Sequence, residues 1–598
     1  MKYETLVHIL DAICQEAPEG SKRYKPDEND VEKMNQARAR AFIHLYLKVK
    51  FGLSDFSDRE RTITDASEDG GIDAYHIDSE TKVVYLIQSK FRTNEKNFED
   101  KEISLNELLA MEIDRIMRGE ETGENGVPYN GKIKQLQRDI SSIDDIARYN
   151  YKIVILANLE SVPPNKIRQL CGGYSAEVFN YQKAYQALVL PVLTGTYFTA
   201  NDIMIPVDLS SKNAGSKISY NVKTKNCDCE ITVLFVPVIE IAKIMDKYRN
   251  AILKYNPRSY LDLEGKSVNS SIKSTLLERD TNEFALFNNG ITMLSDETYI
   301  NERIGQKNKA QLQVKNPQII NGGQTSFTLS RIYHADKVAA EKDLANKEVL
   351  LKVITLLGND SQENKLQLID EISNATNKQT PVINADRFSN ESFHITIQQM
   401  VFENFGLLYE RKRGEFSDGI RDGYLSESEV VERNHFWRLY YTANGRIARG
   451  FQKRLFQQNE FSGIDPNDKN SFKNLYMAIQ VFGAIKGRYR RDQKIPREEY
   501  AKVYLYVRIH GEESALDAES IEANMRVVNT AFKLFFSWIE SQEGNIAGRR
   551  TSVNRKTGEK RVTFSQERYF KGPTFEKDFT EWLTANRALL DSSAREVA

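Results

Sequence analysis

The stretch "DGGIDAYHIDSETKVVYLIQSK", Asp69 to Lys90, decides how the N-terminal part of the chain folds. Ile72 to Ile77 alternates weakly, Asp78-Ser79-Glu80-Thr81 has the composition of a turn, and Lys82 to Ile87 is rich in β-branched and aromatic residues. Two neighbouring strands joined by a short turn are therefore predicted. Side chains of a strand repeat every second residue, which puts Gln88 and Lys90 on one face. Folding back over the turn brings Asp73 level with Leu86 or Gln88, so three polar groups meet at the end of an apolar strand.

A carboxylate, an amide carbonyl and an ammonium gathered there fit a divalent-metal site. Carboxylate and amide oxygens are hard ligands suited to Mg²⁺, with Mn²⁺ as a substitute, and Mg²⁺ normally takes its remaining oxygens from water and a phosphate substrate. An ammonium beside it orients the attacking water or stabilises charge on the phosphorus centre. The same spacing also arises by chance, but Gly70-Gly71 permits close backbone approach before Asp73, and Val83 to Ile87 reads as a buried strand ending on the polar pair.

"EDGGIDAY" followed by "LIQSKF" resembles the PD-(D/E)xK nucleases, and in particular their Mrr-like branch, where Gln often replaces Glu. The resemblance implies a restriction-endonuclease-like α/β core with a mixed sheet flanked by helices, with Asp73, Gln88 and Lys90 catalytic. It also implies an acidic residue from a preceding helix. Glu32 is the first candidate to join Asp73 and Gln88 as a metal ligand, and Asp65 is the second. Either also reads as a helix-start or turn carboxylate.

Composition sets the frame. A chain of 598 residues holds several domains' worth of sequence, and 40% hydrophobic with 28% charged residues is ordinary for a globular protein. No apolar run is long enough to span a membrane and no basic apolar leader opens the chain, so a cytoplasmic protein is expected. Four cysteines are too few for a disulfide framework, and "CDC" reads as a small-residue surface turn. With a net charge of −1, nucleic-acid binding has to come from local basic patches.

Residues 1–165 read as the nuclease-like domain. Tyr3 to Ile13, Val31 to Phe51, Ile103 to Met117 and Lys132 to Ala147 have helical periodicity, and "YKIVILANL" is a strand. Lys132, Lys134 and Arg138 could line a nucleic-acid channel or form a solvated helix face. Residues 166–220, with strand-like "ALVLPVL" and "IMIPVDL", read as a connector or nuclease extension. A large α+β region is expected over 221–450. Residues 451–598 read as mostly helical, with basic stretches "GRYRRDQK" and "GRRTSVNRKTGEKR", and His435 in "RNHFWRLYY" as a packed histidine.

Within 221–450, "FALFNNGITML" and "PQIINGGQTSFTL" each place an Asn-Gly turn beside an apolar strand. Strand, glycine turn and helix start make an anion-binding geometry, and also a plain turn capped by Thr325 or Ser326. The turns offer amides and backbone donors but no general base. Asn288, Asn289, Asn321, Gln324 and Thr325 are therefore expected to line one ligand-binding surface that controls the nuclease.

Together with "NPRSYL", "VNSSIKSTL", "ISNATNKQTPVINADRFSN" and "YERKRGEF", these motifs resemble the AIPR family, the abortive infection phage resistance proteins of bacteria. That resemblance implies a role in defence against phage. The expected protein is a Mg²⁺-dependent endonuclease acting on nucleic acid, with DNA the expected substrate and RNA left open. A phage-derived trigger or nucleotide would act on the AIPR region, and a homodimer is compatible with this reading. The alternative is a nucleic-acid or nucleotide sensor with a non-catalytic nuclease core. The intact trio of Asp73, Gln88 and Lys90 favours the enzyme.

Overall fold

The computed structural model describes the chain apart from residues 1, 28, 80, 105–110, 160–161, 199–201, 210–217, 226–227, 257–265, 280, 358–366, 370, 373–374, 376–390, 453–454, 457–460, 462, 491–492, 494, 512–515, 543–548, 554–559, 571, 573 and 598. It forms two compact units, Met1–Val382 with Lys412–Glu427, and Ile383–Arg411 with Ser428–Ala598. The expected pieces 1–165 and 166–220 both fall in the first unit. The helical unit takes 383–411 as well as everything from 428 onward.

The first unit opens with helices α1 (Lys2–Gln15), α2 (Val31–Phe51) and α3 (Phe56–Thr62). The Asp30 side chain caps α2 by accepting from the Lys33 N–H, and Gly52 closes it in the left-handed conformation. Four strands follow: β1 (Ala74–Asp78), β2 (Val83–Ser89), β3 (Asn150–Leu156) and β4 (Ala176–Val178). They form one mixed sheet in the order β1-β2-β3-β4, antiparallel in the first pair and parallel thereafter.

A parallel join needs a crossover, and the helix Gly131–Ser141 lies in the one between β2 and β3. Its Ile133 and Leu136 are buried with Tyr75, Val84, Leu86 and Ile153. On the other face Phe51, ending α2, stacks on His76 with ring centroids 4.0 Å apart and meets Tyr85. Helices thus cover both faces.

The remaining strands of this unit are β5 (Asp202–Asp208), β6 (Ile218–Val222), β7 (Asp228–Pro237), β8 (Ile291–Ser295), β9 (Glu297–Asn301), β10 (Lys309–Lys315), β11 (Gln318–Asn321) and β12 (Glu348–Leu357). They make a three-stranded sheet, β5-β10-β9, and a five-stranded sheet, β11-β8-β12-β7-β6. Ile241 and Met245 of the helix Val238–Tyr248 and Phe327 and Leu329 of the helix Gly323–Ala335 share a core with Ile291, Met293, Ile319 and Val349. The second unit packs helices such as Arg433–Ala443, Lys469–Lys486 and Ala518–Ser541 around an aromatic core that includes Trp437, Phe472 and Phe535.

Three sequence expectations change. "ALVLPVL" is helical: a π-turn over Tyr185–Val189 runs into the helix Leu190–Thr194. Pro191 sits in its first turn, where a missing N–H leaves no helical bond unmade, and Gly195 closes it at φ 64°. Leu188, Val189, Val192 and Leu193 are buried while Ala187, Leu190 and Pro191 are half-buried, so the buried positions recur at the three-to-four-residue spacing of a helix rather than every second residue. "CDC" is no surface turn at Cys229, which is buried in β7. Of Ile103 to Met117, the described helix is Ile113–Met117 alone. Most of "NPRSYL" and "ISNATNKQTPVINADRFSN", and parts of both basic C-terminal stretches, lie outside the described residues. Among those residues no helix is long and apolar enough to cross a membrane.

Candidate metal centre

The β1–β2 register pairs Ala74 with Ile87, and the Asp73 N–H donates to Ile87 O at 2.8 Å. The step before that pair sets Asp73 beside Gln88, the second of the two registers expected. Asp73 is 6% exposed and Gln88 2%. The Ser89 N–H donates to Asp73 Oδ2 at 2.6 Å, and Gln88 Nε2 donates to Gly71 O at 2.8 Å, which ties β2 to the loop ahead of β1. Lys90 follows β2 half-buried, its N–H continuing the parallel pairing by donating to Leu156 O at 2.9 Å.

That loop brings in two further acids. The Thr64 and Asp65 N–H groups both donate to Asp73 O, at 2.9 and 3.0 Å. Asp69 Oδ1 accepts from the Gly71 N–H at 2.9 Å. Gly70 adopts φ 61°, and a Cβ there would lie 2.8 Å from Ile116 Cδ1, so the turn needs glycine for both conformation and space. The result is a cluster in which carboxylate oxygens of Asp65, Asp69 and Asp73 lie within 4.8 Å of one another. Among the described residues no other group of three or more His, Cys, Asp or Glu side chains is gathered so closely.

Burial, and then the charges of Asp69 and Asp65, push the Asp73 carboxyl up to about 7 against the Ser89 hydrogen bond and the Lys90 charge. Burial likewise raises Asp69. Three hard oxygen donors, two of them buried and penalised for their charge, suit a divalent cation such as Mg²⁺. The donor set fits. Of the two candidate acids, Asp65 is the one that lies with Asp73 and Asp69. Glu32 sits exposed in the first turn of α2, and the α2 residue that meets Asp65 is Arg40, about 12 Å further along the helix axis. Asp69 escaped the sequence reading because an Asp before two glycines looks like a turn former, which it also is.

Of the basic residues on the helix Gly131–Ser141, Lys132 is engaged inside the fold. Its Nζ donates to Glu60 O and Arg61 O, at 3.0 and 3.2 Å, at the C-terminal end of α3. Lys134 is half-buried, and exposed Arg138 holds Gln135 Oε1 at 2.7 Å.

The two Asn-Gly turns do meet. β8 and β11 pair antiparallel, with Asn321 opposite Thr292, so both turns lie at one end of the sheet. Asn288 Nδ2 donates to Thr325 Oγ1 at 3.1 Å, and the Gly290 N–H to Asn288 Oδ1 at 2.9 Å. Gly322, at φ 83°, is the N-cap of the helix Gly323–Ala335, in place of the expected Thr325 or Ser326. Asn289 and Gln324 are exposed beside these contacts, and Thr325 is buried. The "YERKRGEF" motif supports the same corner: Lys412 Nζ donates to Lys254 O and Asn256 O, at 2.6 and 3.2 Å, and Gln318 Oε1 accepts from the Lys254 N–H at 3.0 Å.

No curated protein and no solved structure matches the chain. A family model does, and its span starts later and runs further than the expected 221–450. Residues 253–546 match the model described as AIPR protein, and that stretch, taken with the motifs at the turns, supports the AIPR family for this chain.

Proposed function

We propose that the chain is a metal-dependent nuclease acting in defence against phage, with DNA its expected substrate and the AIPR stretch its control region. The observation that carries this reading is the placement of Asp73 beside Gln88 at the end of the β1–β2 hairpin, with Lys90 next in line and Asp65 and Asp69 completing an acidic cluster. Asp65, Asp69 and Asp73 would hold the cation, and the Gln88 amide carbonyl is a further oxygen of the right kind. A bound Mg²⁺ would polarise the phosphate and lower the pKa of the water that attacks it. Lys90, whose charge already acts on Asp69 and Asp73, stabilises negative charge developing on the phosphate. The family match supports the defence role, and the two joined Asn-Gly turns, without a general base, support recognition over chemistry in the AIPR stretch.

The test is incubation of the purified chain with plasmid, linear DNA and RNA in Mg²⁺, Mn²⁺ or EDTA. Cleavage is expected with either metal and none with EDTA, and Lys90→Ala should lose about two orders of magnitude in rate while keeping its fold. Cleavage in EDTA, or a Lys90→Ala rate equal to wild type, overturns the reading. Nucleic-acid binding without cleavage in any metal would favour the sensor.

A further inference from the structure

Asp65 is the most exposed of the three acids, its side chain 46% accessible, and its place depends on a neighbouring helix. Arg40 Nη1 donates to both Asp65 O and Asp65 Oδ2, at 2.6 and 3.0 Å. The same guanidinium donates from Nε to Tyr24 Oη at 2.7 Å and from Nη2 to Glu60 Oε1 at 3.3 Å. Glu60 also accepts from Tyr24 and lies 3.2 Å from His44 Nε2.

The contacts continue away from the acids. Arg59 Nε donates to His44 Nδ1 at 3.2 Å, and the other end of that guanidinium pairs with Glu16. Glu16 Oε1 accepts from Lys48 Nζ at 2.9 Å and from Tyr424 Oη at 3.0 Å, and Lys48 donates to Tyr424. Arg40, His44, Lys48 and Arg59 are each 5% exposed or less. Four such groups are expensive to bury, and each is held in place by its neighbours, so a change at one is felt at the next.

Tyr424 belongs to Lys412–Glu427, a short segment of the first unit whose two flanks in the chain belong to the helical unit. Within the segment, Asp422 is fixed by Arg249 Nη1 at 2.6 Å. The segment also lies within the AIPR match. A continuous line of hydrogen bonds and ion pairs, running through buried Arg40, His44, Arg59 and Lys48 and the partly exposed Glu60 and Glu16, therefore joins a piece of the AIPR stretch to one of the three acids.

We propose that Arg40 is the positioning residue for Asp65, and that the segment Lys412–Glu427, acting through Tyr424, sets how tightly the acidic cluster holds a divalent cation. This rests on the metal-centre reading above. Coupling is reciprocal: what the segment does to the cation, the cation does to the segment.

The experiment measures Mn²⁺ affinity of the full chain by electron paramagnetic resonance of the free ion, with thermal unfolding in EDTA alongside. Wild type should bind and Asp73→Asn should not; if wild type binds no Mn²⁺, the metal-centre reading itself fails. Arg40→Lys keeps the charge but not the three-point geometry and should weaken binding about tenfold. Tyr424→Phe loses only a hydroxyl and should weaken it about fivefold. The double variant should bind about as weakly as Arg40→Lys alone, since the connection is already broken. Wild-type affinity in Tyr424→Phe overturns the proposal while leaving the metal centre standing. A second measurement needs no variant of the network. Mn²⁺ should slow amide exchange over Ile420 to Leu425 in wild type and not in Asp73→Asn, and equal exchange with and without the ion also overturns the proposal.

Discussion

Asp73 is held where a carboxylate is least comfortable, buried beside two others, and the energetic sign of that arrangement can be measured. Its folded pKa is raised, so the fold favours the protonated form: stability is retained at low pH and lost as pH rises from 3.8 through about 7. At pH 8 without metal, Asp73→Asn should therefore stabilise the chain by roughly 2–4 kcal/mol, seen as a higher midpoint of urea unfolding in EDTA. A midpoint at or below wild type would mean that burial of the charge is not the dominant cost. Gln88 predicts the reverse. Its Nε2 donates to Gly71 O, and a glutamate there has no proton to give and adds a fourth negative charge. Gln88→Glu should lose about 1–3 kcal/mol in EDTA yet still cleave nucleic acid with Mg²⁺, because a carboxylate oxygen ligates as the amide oxygen does. Complete inactivity of a folded Gln88→Glu would show that Gln88 binds something other than metal.

At the scale of elements, the two Asn-Gly turns are joined so closely that one glycine decides the join. A Cβ on Gly322 would lie 2.9 Å from Gly290 O and 3.0 Å from Ile291 Cα, at a φ that disfavours any side chain. Gly322→Ala should destabilise the first unit by about 1–3 kcal/mol, read by urea unfolding. Exposed Gln324 separates control from packing: Gln324→Ala should leave stability and basal cleavage nearly unchanged but lose phage protection. If Gln324→Ala cells are protected as well as wild type, the turns are structural only. The same elements show what the sequence makes legible. Period-two alternation revealed the β1–β2 hairpin and narrowed Asp73 to two partners, because a strand's pattern is local and a one-residue slip exposes its apolar face. The strand, turn and helix at Ile319 to Leu329 were legible for the same reason. Arg40 was not: in sequence it is one of several polar residues in α2, and only the loop folding over that helix gives it Asp65. Likewise "ALVLPVL" reads as a strand because apolar residues also fill its half-buried positions, Ala187, Leu190 and Pro191, and so hide in the sequence the helical period of the buried ones.

Across the molecule, acid is expected to unfold both units, and histidines are the main cause above pH 4. Burial lowers His44 and His76 of the first unit to about 4, and in the second it lowers His394 to about 3 and His435 to about 4. Each folded pKa lies below the ordinary value of 6.5, so between the two the unfolded chain binds more protons than the folded one. Stability is then fully present above 6.5 and falls as pH drops towards 4, by about 3 kcal/mol for a single group shifted this far. Asp73 opposes this in the first unit, since its protonation below 7 relieves a charge. Glu60, lowered to about 2 by His44 and Arg40 against the penalty of burial, adds its own loss only below its ordinary 4.5. His76 isolates the histidine effect. It makes no side-chain hydrogen bond among the described residues and stacks on Phe51, so His76→Phe keeps the ring contact and removes the titration. In EDTA, urea midpoints should fall from pH 7 to pH 5 in wild type and fall less in His76→Phe. An equal fall in both would show that protonation of His76 does not drive the acid instability of the first unit.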